Sequence, residues 1–142
     1  MEKVLILLGI INQLATTRLN YALKELDLPM AQFSLLTHYS HNPQRGWTVT
    51  RLAEVMEVNQ PAMTKTTQRL LKKGYLSVKQ AQSDKRIKNY FVTKDGLETL
   101  SQAWEKLSPE MQALRSNWQE SEIETLQVLL EKLKNQLDES RF

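Results

Sequence analysis

Two histidines and the absence of cysteine limit the chemistry available to this 142-residue chain. His38 and His41 stand three positions apart at the end of a predicted helix, a spacing that suits two ligands of a metal ion. No third ligand is apparent, so a capping or packing role is favoured, and we predict neither a metal site nor a cofactor. A Ser-His-Asp arrangement, a glycine-rich phosphate loop and a metalloprotease motif are all missing. The sequence therefore does not predict an enzyme.

The basic residues are concentrated in one segment. Residues 48–88 hold nine Lys or Arg against three Asp or Glu, whereas the rest of the chain holds ten against thirteen. Such a local excess of positive charge is typical of a surface that binds a polyanion. A solvated basic face without a partner is the alternative, and charge alone does not exclude it.

Within this segment, hydrophobic periodicity predicts two short helices joined by a tight turn. Thr48 is a suitable N-cap for the first helix, whose apolar residues recur at helical spacing as far as Met56. Asn59 and Pro61 supply a cap and an early proline for the second helix, which should end at Gly74. Two helices in this arrangement form a helix-turn-helix motif.

After Tyr75 the hydrophobic period changes to two, which predicts a β-hairpin with a turn at residues 82–85. One side of its two strands should carry Leu76, Val78, Ile87, Asn89 and Phe91. The other side should carry Ser77, Lys79, Lys88 and Tyr90.

Further helices are predicted on both sides of this block. The first runs from about Val4 to Leu26, and another covers Met30 to Tyr39. A helix that starts near Thr93 should be interrupted near Ser108-Pro109. The last helix should begin with a capping box from Ser121 to Glu124.

The apolar stripes at the two chain ends exceed what one small core could cover, so we predict that they pair with a second copy. The alternative is that these ends pack within one chain. No apolar run reaches the roughly 20 residues of a membrane span, and the short run near the N-terminus is interpreted as a helix rather than a signal peptide. We therefore predict a cytoplasmic homodimer without a membrane partner. The expected interface residues are Val4, Leu7, Leu8, Ile11, Leu126, Leu130, Leu133 and Leu137.

Four segments, in this order, resemble the MarR family of bacterial winged helix-turn-helix regulators: residues 52–58, 70–76, 83–86 and 92–96. Asp84-Lys85-Arg86 supplies the Asp-x-Arg pattern that is most characteristic of the family. The resemblance implies a mainly α fold with a small β-hairpin (α+β), in which a winged helix-turn-helix core is flanked by dimerisation helices. Residues 1–142 would form a single domain, with 30–93 as the DNA-binding part and 1–28 and 94–142 as the helical dimerisation part. Pro61, Thr66 and Thr67 depart from the family pattern.

Double-stranded DNA is the partner that this resemblance implies. On the second helix of the motif, Met63, Thr67 and Leu70 share the inner side, which turns the polar residues outward toward a major groove. The resemblance implies that the Arg86 side chain inserts into the minor groove and that Asp84 holds it in place. The predicted DNA-binding residues are Thr48, Arg51, Asn59, Gln60, Pro61, Thr64, Lys65, Gln68, Asp84, Lys85, Arg86 and Lys88.

The resemblance also implies a repressor that a small-molecule effector, often an aromatic anion, releases from its operator. Possible pocket residues are Arg18, Tyr21, His38, Tyr39 and Trp47, although aromatic residues near helix junctions are more often plain core.

Two rival functions stay open at this point. A winged-helix module could use its basic face to bind an acidic protein, but an outward polar recognition helix argues against that role. An enzyme would need a cleft with convergent catalytic groups, which the sequence does not indicate.

Overall fold

The computed structural model describes residues 1–140. Six α-helices and one hairpin follow one another along this part of the chain. Their order is α1 (Glu2–Ala22), α2 (Met30–Ser40), α3 (Val49–Val55), α4 (Gln60–Lys72), β1 (Leu76–Gln80), β2 (Lys88–Val92), α5 (Lys94–Arg115) and α6 (Glu120–Glu139). This mainly α fold with a β-hairpin confirms the predicted winged helix-turn-helix class.

The chain divides into two compact units, Met1–Leu107 and the segment from Ser108 onward. The first unit contains the helix-turn-helix, the hairpin and a single hydrophobic core. Leu35 and Leu36 of α2, Leu52 of α3 and Leu70 of α4 are fully buried in that core. Burial of these side chains fixes α3 and α4 against α2.

Local capping sets the starts of the two helices of the motif, as predicted. The Arg51 amide donates to the Thr48 hydroxyl at 3.2 Å, and the Ala62 amide donates to the Asn59 side-chain oxygen at 2.9 Å. At the other end of α4, Gly74 takes a left-handed conformation with φ of 77°, which glycine adopts at little cost. The ends of α4 are therefore encoded locally.

The hairpin has the predicted strands, but the predicted facing of its second strand is wrong. Antiparallel pairing sets Leu76 opposite Val92 and Val78 opposite Tyr90, so Tyr90 and Val92 share a face with Leu76 and pack against the core. Ile87, which was expected on that face, lies before the strand and is exposed. Because side chains alternate along a strand, a register that differs by one residue exchanges its two faces.

The course of two helices also differs from the predictions. Helix α1 ends at Ala22, and a 3-10 turn over Lys24–Leu26 replaces its expected last turn. Helix α5 runs on through Pro109 to Arg115, although an interruption was expected there. A proline removes one hydrogen bond of the helical ladder, and no glycine follows Pro109 to end the helix there.

The second unit consists of the end of α5 and helix α6, joined by a short turn. Its capping box is formed by Gln119 and Glu122 rather than by Ser121 and Glu124. The Gln119 amide donates to the Glu122 carboxylate at 2.8 Å, and Ser121 already lies inside the helix. The predicted pattern was two residues out of place because serine is also tolerated within the first helical turn.

Candidate nucleic-acid interface

Helix α4 separates its buried and exposed residues into two sides. Met63, Thr67 and Leu70 are buried, whereas Gln60 and Gln68 are exposed. Gln60, Thr64 and Gln68 follow one another at a spacing of four, which aligns them along one face. The Thr64 hydroxyl donates to the Gln60 carbonyl at 2.9 Å and is half-buried. The structure thus brings these three predicted residues onto one polar face.

A second exposed stripe runs beside that face. It contains Pro61, Lys65 and Arg69, again at a spacing of four. Arg69 was not among the predicted residues, although its place one helical turn after Lys65 could have identified it. Asn59 is exposed at the start of the helix, where its side chain serves as the cap. This stripe gives α4 two cations on its outer side.

Near the start of α3, the predicted residues have partners within the helix. The Thr48 hydroxyl accepts the Arg51 amide as described above. The Arg51 guanidinium donates to the Glu54 carboxylate at 2.9 Å, and both side chains are exposed. An exposed pair of this kind contributes little to stability and exchanges partners readily. Arg51 therefore remains available to an incoming anion.

The hairpin tip holds an arginine in a fixed geometry. Two guanidinium nitrogens of Arg86, Nε and Nη2, each donate to a different oxygen of Asp84 at 3.1 Å. The Arg86 amide donates to the same carboxylate at 2.9 Å. The Arg86 guanidinium, followed by its amide, holds the pKa of Asp84 below its ordinary value. The Arg86 side chain is nevertheless 91% exposed, and Lys85 and Lys88 beside it are also exposed.

Two of the predicted effector-pocket residues, Tyr39 and Trp47, belong to the core of the first unit, and the half-buried His38 lies beside them. The Tyr39 hydroxyl donates to the Tyr90 carbonyl at 3.0 Å, and Trp47 exchanges backbone hydrogen bonds with Tyr90. The ring of His38 lies 4.9 Å from that of Trp47, in an edge-on arrangement. In contrast, Tyr21 on α1 is 81% exposed, and Arg18 on the same helix is exposed too.

Burial also affects the titration of two of these residues. It raises the pKa of the Tyr39 hydroxyl, with a smaller contribution from Tyr90. Burial lowers the pKa of His38, and the charges of His41 and Arg45 add to that effect. The His38 Nε2 atom is buried without a hydrogen-bond partner in residues 1–140. His38 is therefore favoured in its neutral form.

An open cleft of about 420 Å³ lies elsewhere in the first unit, and none of the five predicted pocket residues lines it. Its walls include Pro43, Phe91 and Leu97, with Lys79 and Lys94 among its polar residues.

Across residues 1–140, no group of three or more His, Asp or Glu side chains is arranged to hold a metal ion. Over the same range, no helix has the length and apolar character to cross a bilayer.

The predicted dimer residues occupy two helices that leave apolar side chains open to solvent. On α1, Val4, Leu7 and Ile11 are exposed and Leu8 is half-buried. On α6, the exposed residues are Leu126, Leu130 and Leu137, and Leu133 is half-buried.

Comparisons of the sequence and of the fold both match this chain to MarR proteins. A sequence model described as "MarR family" matches residues 28–88. A mutant MarR from E. coli, crystallised in complex with operator DNA, is 29% identical over 89% of this chain and 90% of its own, with a TM-score of 0.75. A MarR protein from Peptoclostridium difficile is 28% identical over 96% of this chain and 88% of its own, with a TM-score of 0.81. The transcriptional regulator BldR from Sulfolobus solfataricus is 25% identical over 94% of each chain, with a TM-score of 0.77.

Proposed function

We propose that this chain is a cytoplasmic repressor of the MarR family of DNA-binding transcriptional regulators, whose sequence model matches residues 28–88. In this proposal the protein binds a pseudo-palindromic operator as a homodimer and leaves it when a small-molecule effector binds. Members of the family are regulators rather than enzymes.

The arrangement of Arg86 on Asp84 is the observation that carries the proposal. A guanidinium is drawn to the negative potential of a narrow minor groove. The two hydrogen bonds from Arg86 to Asp84 fix its side chain before DNA arrives, so less conformational entropy is lost on binding. Because the side chain is almost fully exposed, it can enter a groove without a rearrangement of the hairpin.

Helix α4 is the element that would read the operator sequence. An α-helix fits the major groove, and a glutamine can bond to adenine through two hydrogen bonds. Gln60, Thr64 and Gln68 on the polar face of α4 supply such groups, while Lys65 can bond to guanine or to a phosphate. Asn59 and Pro61 shape the start of the helix.

Phosphate contacts would come from the residues around these two elements. Lys85 and Lys88 flank Arg86 on the hairpin, and Arg51 and Thr48 lie at the start of α3. Such contacts position the protein on the duplex and make its affinity depend on salt.

A second copy of this chain would cover the exposed apolar residues of α1 and α6. Each of these helices leaves large apolar side chains exposed at helical spacing, and monomeric proteins rarely leave contiguous apolar surface of that kind in water. A two-fold dimer would present its recognition helices about one DNA turn apart, which requires half-sites separated by roughly 10 base pairs.

For the effector, we propose a small aromatic anion that engages Arg18 and Tyr21 on α1. The guanidinium can bind a carboxylate, and the exposed tyrosine ring can stack on an aromatic body. His38, Tyr39 and Trp47 would then act through core packing, since Tyr39 and Trp47 are buried. A panel of small aromatic carboxylates, added to the protein on its operator, tests this part by loss of the complex.

The DNA proposal is tested by anisotropy titrations against duplexes selected from random DNA, at two or more salt concentrations. We expect an enriched palindrome that binds one dimer, with steep salt dependence. Arg86→Ala should weaken operator binding by about 1 to 3 kcal/mol and leave the melting temperature nearly unchanged. Lys94→Ala is the matched control, because it removes one exposed positive charge at the start of α5.

Equal effects of Arg86→Ala and Lys94→Ala would contradict the assigned role of the hairpin. Weak binding to every duplex, without an enriched sequence, would contradict the operator proposal itself and favour an acidic protein partner.

A further inference from the structure

One lysine joins the end of α4 to the junction between α1 and α2. The Lys73 ammonium donates to the backbone carbonyl of Asp27 and, at 2.7 Å, to the side-chain oxygen of Gln32. It also lies 3.1 Å from the Asp27 carboxylate. The three acceptors match the three protons of an ammonium group. All of these residues lie in the first unit.

The contacts of Lys73 are partly shielded from water. Its side chain is 24% exposed, although it belongs to a residue type that is seldom buried without a partner. Gln32 is 4% exposed, so its side-chain oxygen would lose a hydrogen bond if the lysine moved away. Lys73 is therefore a specific link and differs from an ordinary surface charge.

The junction that Lys73 contacts has a defined backbone shape. Asp27 ends the 3-10 turn in a left-handed conformation, with φ of 47°. Leu23 and Leu28 on either side of that turn are buried in the core. The Asp27 carbonyl is thus held in place by packing, and Lys73 attaches the end of α4 to it.

We propose that Lys73, with Asp27 and Gln32, is a positioning group that fixes α4 relative to the junction through which α1 continues into α2. This inference rests on the proposed function, in which α1 contributes to the dimer and α4 reads a half-site. If α4 could tilt on α1, the distance between the two recognition helices of a dimer would vary. The link through Lys73 therefore sets how strictly the dimer selects the spacing of its half-sites.

The test compares operators whose half-sites are at the selected spacing or one base pair closer or farther apart. For wild-type protein, the ratio of affinities between selected and altered spacings measures the discrimination. Lys73→Met keeps the aliphatic stem but removes the ammonium, and it should lower that ratio by about three- to tenfold. Lys72→Met is the matched control: Lys72 is the exposed neighbour, and its loss should lower affinity for all spacings alike.

Two further variants keep the test decisive if Lys73→Met folds poorly. Asp27→Asn removes the negative charge that pairs with Lys73 from an exposed side chain and should give a smaller loss of discrimination. Lys73→Arg keeps the charge and several donors and should restore much of the ratio. Melting curves show whether each variant is folded.

The inference is overturned if the folded Lys73→Met and Asp27→Asn variants discriminate spacing as wild type does. In that case wild-type selectivity would still support the proposed function. If wild-type protein itself shows no preference for spacing, the palindromic dimer and the role of Lys73 fail together.

Discussion

Replacing Thr67 by valine should stabilise the protein. Thr67 lies on the inner side of α4 and is 0% exposed, and its hydroxyl oxygen has no hydrogen-bond partner within residues 1–140. An unpaired buried hydroxyl costs roughly 1–3 kcal/mol. Valine has nearly the same shape, and its added methyl group contributes about 0.8 kcal/mol of apolar burial.

Part of this gain should be offset because a methyl group is larger than a hydroxyl in a closely packed core. We therefore expect Thr67→Val to raise the free energy of unfolding by about 1 to 2 kcal/mol, and the melting temperature by about 3 to 6 °C. Denaturant titration and calorimetry at a fixed protein concentration measure both quantities, since the stability of the proposed dimer would vary with concentration.

Thr64→Val is the matched control for this prediction. The Thr64 hydroxyl already donates to the Gln60 carbonyl, so its removal should give no gain in stability. It should instead weaken operator binding, because Thr64 lies on the polar face of α4. A Thr67→Val protein that is no more stable than wild type would show that the hydroxyl is satisfied, and the reasoning would be refuted.

Two further predictions concern glycine packing and histidine titration. An added Cβ at Gly96 would lie 2.4 Å from the Tyr75 carbonyl oxygen, whereas one at Gly9 would meet nothing within 4 Å. Denaturant titration should therefore show Gly96→Ala less stable by about 1 to 3 kcal/mol and Gly9→Ala more stable by about 0.5 to 1 kcal/mol. Burial holds the pKa of folded His38 below its ordinary value of 6.5, so the unfolded chain takes up the proton first as the pH falls through that value. Wild-type stability should decrease between pH 7 and 5, and His38→Gln should reduce that decrease in melting curves; an unchanged pH profile would contradict the assignment.

Several features of the fold and site were predictable because their signals are local. The caps at Thr48 and Asn59, and the left-handed stop at Gly74, depend on residues within one helical turn. The outward facing of Gln60 and Gln68 follows from helical period once the apolar side of α4 is known. The pairing of Arg86 with Asp84, two residues away, was also expected on family resemblance, and the structure shows it.

Other features depend on contacts between residues that are distant in sequence. The register of the hairpin decided that Tyr90 faces the core, and its carbonyl accepts the hydroxyl of Tyr39, 51 residues earlier. The partners of Lys73 lie 41 and 46 residues away, at a junction that no pattern around Lys73 indicates.

Sequence alone thus determined the order of the helices and strands and which polar residues they carry, since these depend on propensity, period and caps. Tertiary structure alone decided which face of β2 is buried, that the Thr67 hydroxyl has no partner within residues 1–140, and that Lys73 contacts Asp27 and Gln32. These properties depend on packing between elements, and the free energy of burial is set by neighbours that a local pattern does not contain.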